Sequence, residues 1–254
     1  MKKLLLILFI SGCSFKSLVI PNLPYILANR VDSSLHLYND QEDQVKVDFK
    51  TLLTQEKVRV EQIKNYFNQI EIKNFDVVDG YNFFAKNYYA IAVKVNRILA
   101  KQFSKLDSHQ IEKFKSSMLE KNDEILERIQ DKTNEDYYER YEYFFGSINQ
   151  NQKSLINTYI DTFKALSKNR LEKRKLVQLE LIKALKLEDS KAKELRIIEV
   201  LDETADRSAI SATRAKSLEQ FKQFSKTLTV KQVEFFKERS VFFNEWIDEY
   251  LKSY

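Results

Sequence analysis

The single cysteine of the chain, Cys13, is the residue whose chemistry and position stand out first. It follows two lysines, an apolar run of seven residues at 4–10, and the small residues Ser11 and Gly12. A basic start, a short apolar run and small residues before a cleavage point are typical of an export signal. A helix of this length would cover about 10 Å of a hydrocarbon layer about 30 Å thick, so the run cannot anchor the chain by spanning a bilayer.

The order Ile10-Ser11-Gly12-Cys13 resembles the lipobox of bacterial lipoproteins. In that class the cysteine sulfur receives a diacylglycerol, the preceding peptide is removed, and the new amino terminus is acylated. The resemblance implies that residues 1–12 are a signal peptide and that Cys13 is the lipidation site, giving a durable membrane anchor. Ser14, where an aspartate would resemble the inner-membrane retention signal, favours the outer membrane. The alternative is a plain secretory signal with an incidental thiol.

The rest of the composition points to no reaction. The formal charge is +5, and it falls to +3 when Lys2 and Lys3 leave with the signal, which is too slight to argue for nucleic acid. His36 and His109 are the only histidines and lie far apart, so we expect no metal site and no other cofactor. Neither a glycine-rich phosphate loop nor a G-x-S-x-G elbow occurs, so we assign no catalytic residue and expect a non-enzymatic protein.

Two arginines and two aspartates form the second set of candidate residues, on a predicted helical hairpin. Helical patterns at 149–187 and 189–226 are separated only by the connection at 187–190. A connection that short makes the two helices antiparallel neighbours. Leu181 then faces Leu195, and Ala184 faces Ala192, in a register centred on residue 188.

The same register pairs Arg174 with Asp202 and Arg170 with Asp206, one helical turn apart. We therefore predict two ion pairs in the hairpin seam that fix the register of the helices. The alternative is that Arg170 and Arg174 line a groove and bind an anionic envelope ligand, such as a phosphate of lipid A.

A five-residue phrase that recurs three times shows where helices begin. Each copy has an aliphatic residue, a capping residue, two variable positions and a glutamine, at 106–110, 148–152 and 228–232. This is the spacing of a capping box, in which the cap accepts a backbone N–H and the glutamine returns a bond to the cap, at about 1 kcal/mol per cap. The predicted caps are Asp107, Asn149 and Thr229, and their glutamines are Gln110, Gln152 and Gln232.

The chain that must position these residues is predicted to be all-α, an elongated helical bundle with a long antiparallel C-terminal hairpin. Turn residues are scarce, and no alternating strand pattern appears. The residues beyond the signal that could interrupt helices are Gly80, Gly146, Pro21 and Pro24. We expect residues 13–24, which carry both prolines, to be an extended lipidated tether, and residues 25–254 to be a single helical domain.

The Leu-x-x-x-Gln phrases also carry a resemblance to known families. Boxes of this kind are shared by small periplasmic chaperones of the Spy and CpxP type. The chain further resembles an uncharacterised family of proteobacterial lipoproteins, classified as a domain of unknown function, through the stretches 145–152 and 227–232. The early Tyr-Asn…Trp segment of that family is matched poorly at 20–25, which has no tryptophan. The resemblance implies an envelope location and a helical fold, and no catalytic activity.

The expected protein is therefore anchored to the outer membrane by its lipid and faces the periplasm. Its expected partners are the membrane and an envelope protein or anionic envelope component, in a scaffolding or chaperone-like role. The alternative is a cell-envelope hydrolase on a helical scaffold, which requires a pocket with converging acids.

The lipidation prediction can be checked directly in native membranes. Because removal of the signal and acylation both change the mass, we expect mass spectrometry to find a mature chain that begins at Cys13 and carries acyl groups. The Cys13→Ser variant should lose the acyl groups. An intact Met1 together with a free thiol in the native protein would contradict the prediction.

Overall fold

The structure is a computed structural model that describes residues 12–254, with side chains from Phe15 onward. Its regular elements in this range are all α-helices, which confirms the predicted all-α class, and none of them is both long and apolar enough to cross a membrane. The helices are α1 (Gly12–Val19), α2 (Leu23–Leu35), α3 (Asn39–Gln55), α4 (Lys57–Asn68), α5 (Val77–Phe103), α6 (Ser108–Gln130), α7 (Asn134–Phe145), α8 (Gln150–Asn157), α9 (Ile160–Leu185), α10 (Ser190–Ala205), α11 (Ala212–Ser225) and α12 (Val230–Ser253).

All three predicted capping boxes are formed, and they begin α6, α8 and α12. At α6 the Asp107 carboxylate accepts from the Gln110 N–H at 2.9 Å, and the Gln110 side chain accepts from the Asp107 N–H at 3.2 Å. The same reciprocal bonds join Asn149 with Gln152 and Thr229 with Gln232. Local sequence therefore decides where these three helices start.

A fourth phrase of the same form begins α3, where Leu37 is followed four positions later by Gln41. The Gln41 side chain accepts from the Tyr38 N–H at 2.9 Å, as the glutamine of a capping box does. The Tyr38 hydroxyl instead donates to the carboxylate of Asp107 at 2.7 Å, so it reaches the cap of α6.

The four glutamines meet in two pairs that join helix starts distant in sequence. In the second glutamine pair, the Gln152 amide donates to Gln232 at 2.9 Å and the Gln232 amide donates back at 3.0 Å. In the first glutamine pair, the Gln110 amide donates to Gln41 at 2.9 Å. Gln110, Gln152 and Gln232 are buried, so these bonds fix the start of α3 beside the start of α6 and the start of α8 beside the start of α12.

Three clusters of buried apolar side chains fill the spaces between the helices. The first, between α2, α5, α6, α9 and α10, includes Leu35, Phe103, Phe114, Leu181 and Ile197. The second, between α7, α8, α9, α11 and α12, includes Phe145, Ile156, Tyr159, Phe224 and Phe236. The third, between α2, α3 and α5, includes Ala28, Val45, Phe49 and Leu52. No disulfide is available to this chain with its single cysteine, so packing must stabilise the fold.

The predicted hairpin is present, but its helices are shorter than expected. α9 and α10 are joined by the predicted turn, and Asp189 caps α10 by accepting from the Ala192 N–H at 2.7 Å. The expected first helix breaks between α8 and α9, where the Tyr159 N–H bonds Ile156 at 2.8 Å and the tyrosine ring is buried. The expected second helix breaks at 206–211, where the chain is not helical and both Asp206 and Ser211 are extended.

The prediction of an extended tether at 13–24 is wrong. Gly12–Val19 is helical and packs on α12, where Lys16 forms an ion pair with Glu245 and the Phe15 and Trp246 rings meet edge to face at 6.1 Å. Both prolines escape conflict with helix geometry, since Pro21 lies between helices and Pro24 is in the first turn of α2. Residues 1–11 of the predicted signal and the side chain of Cys13 lie outside the described part of the chain.

The second glutamine pair should contribute measurably to stability. The Gln152→Ala change removes the return bond of one capping box and both bonds between the two glutamine side chains, so the buried Gln232 amide keeps only its bonds with Ser147 and Thr229. We therefore expect a loss of about 2–3 kcal/mol in the free energy of unfolding. Urea denaturation followed by far-UV circular dichroism measures it. The matched control is Gln150→Ala, an exposed site in the same first turn, which should change stability by less than about 0.5 kcal/mol. Equal effects of the two changes would contradict a role for the pair.

Candidate functional site: an arginine-lined cleft

The predicted ion pair between Arg174 and Asp202 is not formed. The Asp202 carboxylate turns to α5, where it accepts from the Asn96 amide at 2.8 Å and lies 3.8 Å from the Arg97 guanidinium. The Arg174 Nε donates instead to the side chain of Asn122 on α6 at 3.0 Å. The two residues therefore belong to different helix interfaces.

The helical phase of α10 explains this error. The predicted register placed Leu195 in the seam, but Leu195 is 53% exposed, whereas Ile197 and Val200 are 0% and 4% exposed. The helix is thus rotated from the predicted orientation and packs on both α5 and α9. This rotation turns Asp202 toward α5.

The second predicted pair, Arg170 with Asp206, is also absent. Asp206 lies just beyond α10 in an extended conformation, and its carboxylate accepts from the Ser208 N–H at 2.8 Å in a local turn. These hydrogen bonds, with help from the charge of Lys173, keep the pKa of Asp206 below its usual value. Arg170 has no hydrogen bond or ion pair among the described residues.

Arg170 and Arg174 instead line two adjoining cavities that together we call the arginine cleft. The smaller cavity, about 560 Å³, lies between α6, α7 and α9. The larger, about 750 Å³, is lined mainly from α5, α6, α9 and the start of α11. The basic residues of the smaller cavity are Arg128, Lys132, Arg140, Arg170 and Arg174, and those of the larger are Arg170, Lys173, Arg174, Arg207 and Arg214.

A row of buried amides holds Arg174 in place. The Asn122 amide donates to the Gln178 side chain at 2.7 Å, and the Asn122 oxygen accepts from Arg174. Asn122 is 7% exposed and Gln178 is 9% exposed, so the side chain that orients the guanidinium is itself fixed. Only one of the five N–H donors of a guanidinium is used in this contact, which leaves the others available to a ligand.

The positive charges of the cleft act on one another. Burial lowers the pKa of Arg170, and three neighbouring guanidinium groups, those of Arg214, Arg207 and Arg140, lower it further. Burial also lowers the pKa of Lys132, and the charge of Arg140 adds to the effect. Like charges that depress one another in this way favour a bound anion, which would relieve the repulsion.

Aromatic rings support several of these cations. The Arg207 guanidinium lies 4.0 Å from the centre of the Tyr88 ring, and that of Arg214 lies 5.8 Å from the centre of the Tyr81 ring. The Tyr81 hydroxyl also donates to the Arg207 carbonyl at 3.1 Å. These cation–π contacts help to hold the charged groups in place without using their N–H donors in hydrogen bonds.

Carboxylates are few in the cleft. Asp206 is the one acid that lines the larger cavity, and the smaller cavity has none. Asp136, which is near Lys132, is held by Thr133 at the start of α7. The hydrolase alternative therefore finds no pair of converging acids here, and no group of His, Cys, Asp or Glu in residues 15–254 is arranged to hold a metal ion. The cleft has instead the chemistry of an anion site.

Most of the cleft was not identified from sequence. The alternative reading of Arg170 and Arg174 as groove residues anticipated two of its cations. The residues missed are Arg128, Lys132, Arg140, Lys173, Arg207 and Arg214. They come from α6, α7, α9, α11 and two loops, so no local spacing indicates that they converge.

Comparison with known proteins gives one family. The model of DUF6279, a family of unknown function, matches residues 61–210, which is 150 of the 254 residues. No curated protein and no solved structure matches the chain. The matched region contains the basic residues of the cleft except Arg214, and it includes the phrase at 148–152 but not that at 228–232.

Mutual repulsion in the cleft predicts an unusual response to loss of charge. Arg170→Gln removes a cation without a counter-ion, so at low salt we expect the free energy of unfolding to rise by about 0.5 kcal/mol, with less gain at high salt. Arg196→Gln is the matched control, because Arg196 pairs with Glu180 and Glu199. That variant should lose stability. Thermal unfolding of both at low and high salt tests this, and a destabilised Arg170→Gln would contradict repulsion as the dominant effect.

Proposed function

This chain belongs to DUF6279, a family of unknown function, and we propose that it is an outer-membrane-anchored, periplasmic lipoprotein that binds an anionic envelope component in the arginine cleft. One observation carries the binding role. Arg170 and Arg174 face two adjoining cavities, and no carboxylate among the described residues lies within 4 Å of either guanidinium. Cations brought together without counter-ions need an external anion to offset their repulsion and desolvation.

The proposed anchor rests on the sequence around Cys13. The folded body begins directly behind this residue, because α1 is held to α12 through Lys16 and Phe15. A lipid on Cys13 would therefore hold the helical body close to the membrane surface without a spacer. Two or more acyl chains give durable attachment.

Phosphate is the anionic group that the cleft fits best. Guanidinium groups bind phosphate through paired N–H donors, and arginines from several helices line the cleft. Several phosphates on one ligand would engage both cavities through the shared Arg170 and Arg174. Phosphorylated saccharides of the lipid A type are envelope components with this chemistry.

A chaperone-like role, as in Spy and CpxP, is the weaker version of this proposal. The Leu-x-x-x-Gln phrases are the basis of that likeness. In this structure their glutamines form helix caps and the two glutamine pairs. Their aliphatic and glutamine residues are buried or half-buried there and are not free to hold an unfolded client. The arginine cleft favours an anionic ligand instead.

The binding role can be tested with the mature chain carrying Cys13→Ser. The probe is deacylated lipopolysaccharide with its phosphates intact, and calorimetry measures its affinity. The Arg170→Gln/Arg174→Gln variant removes charged hydrogen bonds, so we expect at least about tenfold weaker binding and a shallower dependence on salt.

Two controls make the result specific. The variant Lys191→Gln/Arg196→Gln removes the same charge from α10, outside the residues that line the cleft, and should bind like the parent protein. Chemical removal of the phosphates from the probe should abolish binding. Equal weakening by both double variants, or binding that survives removal of the phosphates, would overturn the proposal.

A further inference from the structure

A third cavity, separate in chemistry from the arginine cleft, lies near the N-terminal helices. It has a volume of about 400 Å³ and is lined by residues of α2, α3, α4, α5 and the C-terminal part of α12. It shares only Leu99 with the larger cavity of the cleft. Its apolar lining residues are Leu27, Val31, Phe49, Leu52, Leu53, Val60, Ile91, Val95 and Leu99. The volume is within the range of ligand pockets in proteins.

The polar residues at this cavity direct their charged or hydroxyl groups elsewhere. Glu56 is 4% exposed, and its carboxylate is bound by Lys94 and by Arg59. Burial raises the pKa of this carboxyl, but the bonds from the two cations outweigh it and keep the pKa below the usual value. The Tyr250 hydroxyl donates to the Leu53 carbonyl. The interior surface of this cavity is consequently almost entirely apolar.

Arg30 is the exception among the polar lining residues. It is an exposed residue on α2, and its guanidinium has no ion pair or hydrogen bond to another described residue. An arginine stem packs well along apolar surface while its charged end stays in water. Arg30 thus places an available cation at the rim of an apolar cavity.

We propose that this cavity binds a single-chain anionic amphiphile, with the acyl chain among the apolar residues and the acidic headgroup on Arg30. The span from Ile91 to Leu99 on α5 is about 12 Å, close to the length of an extended chain of about ten carbons. The acyl groups expected on Cys13 have no free acid, so they would not use Arg30. The proposal does not depend on the arginine cleft or on lipidation.

The test uses the mature chain with Cys13→Ser and sodium decanoate as the probe, measured by isothermal titration calorimetry. We expect saturable binding, and at least about tenfold weaker binding of the uncharged decanol. Arg30→Gln should weaken decanoate binding by a similar factor and remove its advantage over decanol. Each CH₂ removed from the acid should weaken binding up to about fourfold, because that group leaves an apolar site.

A second variant tests the cavity itself. Val95→Phe fills the cavity and should abolish binding of both probes, whereas Val47→Phe, at a 59% exposed site on α3, should leave it unchanged. Far-UV circular dichroism checks that each variant is folded. If Val95→Phe does not fold, the effect of Arg30→Gln on decanoate binding tests the proposal instead. Absence of decanoate binding to the parent protein, or binding that neither variant weakens, would overturn the proposal.

Discussion

The two glutamine pairs are the constraint on which the arrangement of the helices depends. Gln152 and Gln232 each close a capping box within their own helix and bond to one another, and each also donates to a backbone carbonyl of the other's loop, at Thr227 and Ser147. A buried amide must satisfy both its N–H and its oxygen. The partners lie 80 positions apart in the sequence. The same side-chain atoms therefore both start a helix locally and hold it against a distant helix start. Agreement between local helix capping and long-range contacts favours a single fold over its alternatives.

The hydrogen-bonded helix starts differ from the region around Arg170 and Arg174, where side-chain donors are available to a ligand. The side-chain amides of Gln152 and Gln232 use both of their N–H donors within the protein, so they offer none to a ligand. The middle of α9 is different, because Arg170 and Arg174 line cavities on both sides and form no ion pair with another described residue. The one acid that lines these cavities, Asp206, is bound to Ser208. Buried Asn122 and Gln178 fix the position of Arg174 without neutralising it. Stability gained at the caps and in the core can offset the repulsion among these cations, which a fold of lower stability could not tolerate.

The sequence predicted the helix starts, which depend on residues close together in the chain. It did not predict which face of α10 is buried, because that depends on packing against distant helices. Capping boxes are local, so α6, α8 and α12 began where predicted; the fourth phrase escaped notice because Tyr38 is not a usual cap. On α10 two stripes had helical spacing, one through Leu195 and the other through Ile197. The choice between them depends on α5, a helix about a hundred positions away, and the wrong choice produced the false pair of Arg174 with Asp202. The false pair of Arg170 with Asp206 has another cause, because α10 ends before Asp206. The convergence of the remaining cleft residues has the same tertiary origin.

The positions of the two proposed binding sites relative to the two ends of α12 suit a protein held at a membrane by Cys13. This helix has 24 residues, about 36 Å, and α1 packs near its end at Glu245 and Trp246. Tyr250, which lines the apolar cavity, is at that same end, where a lipid from the membrane would be available. α7, which contributes Arg140 to the arginine cleft, packs instead through Phe145 on Phe236, near the start of α12. An anchored molecule would thus take up acyl chains close to the bilayer and present its cations farther out, where they could reach phosphorylated saccharide without competing for the same surface.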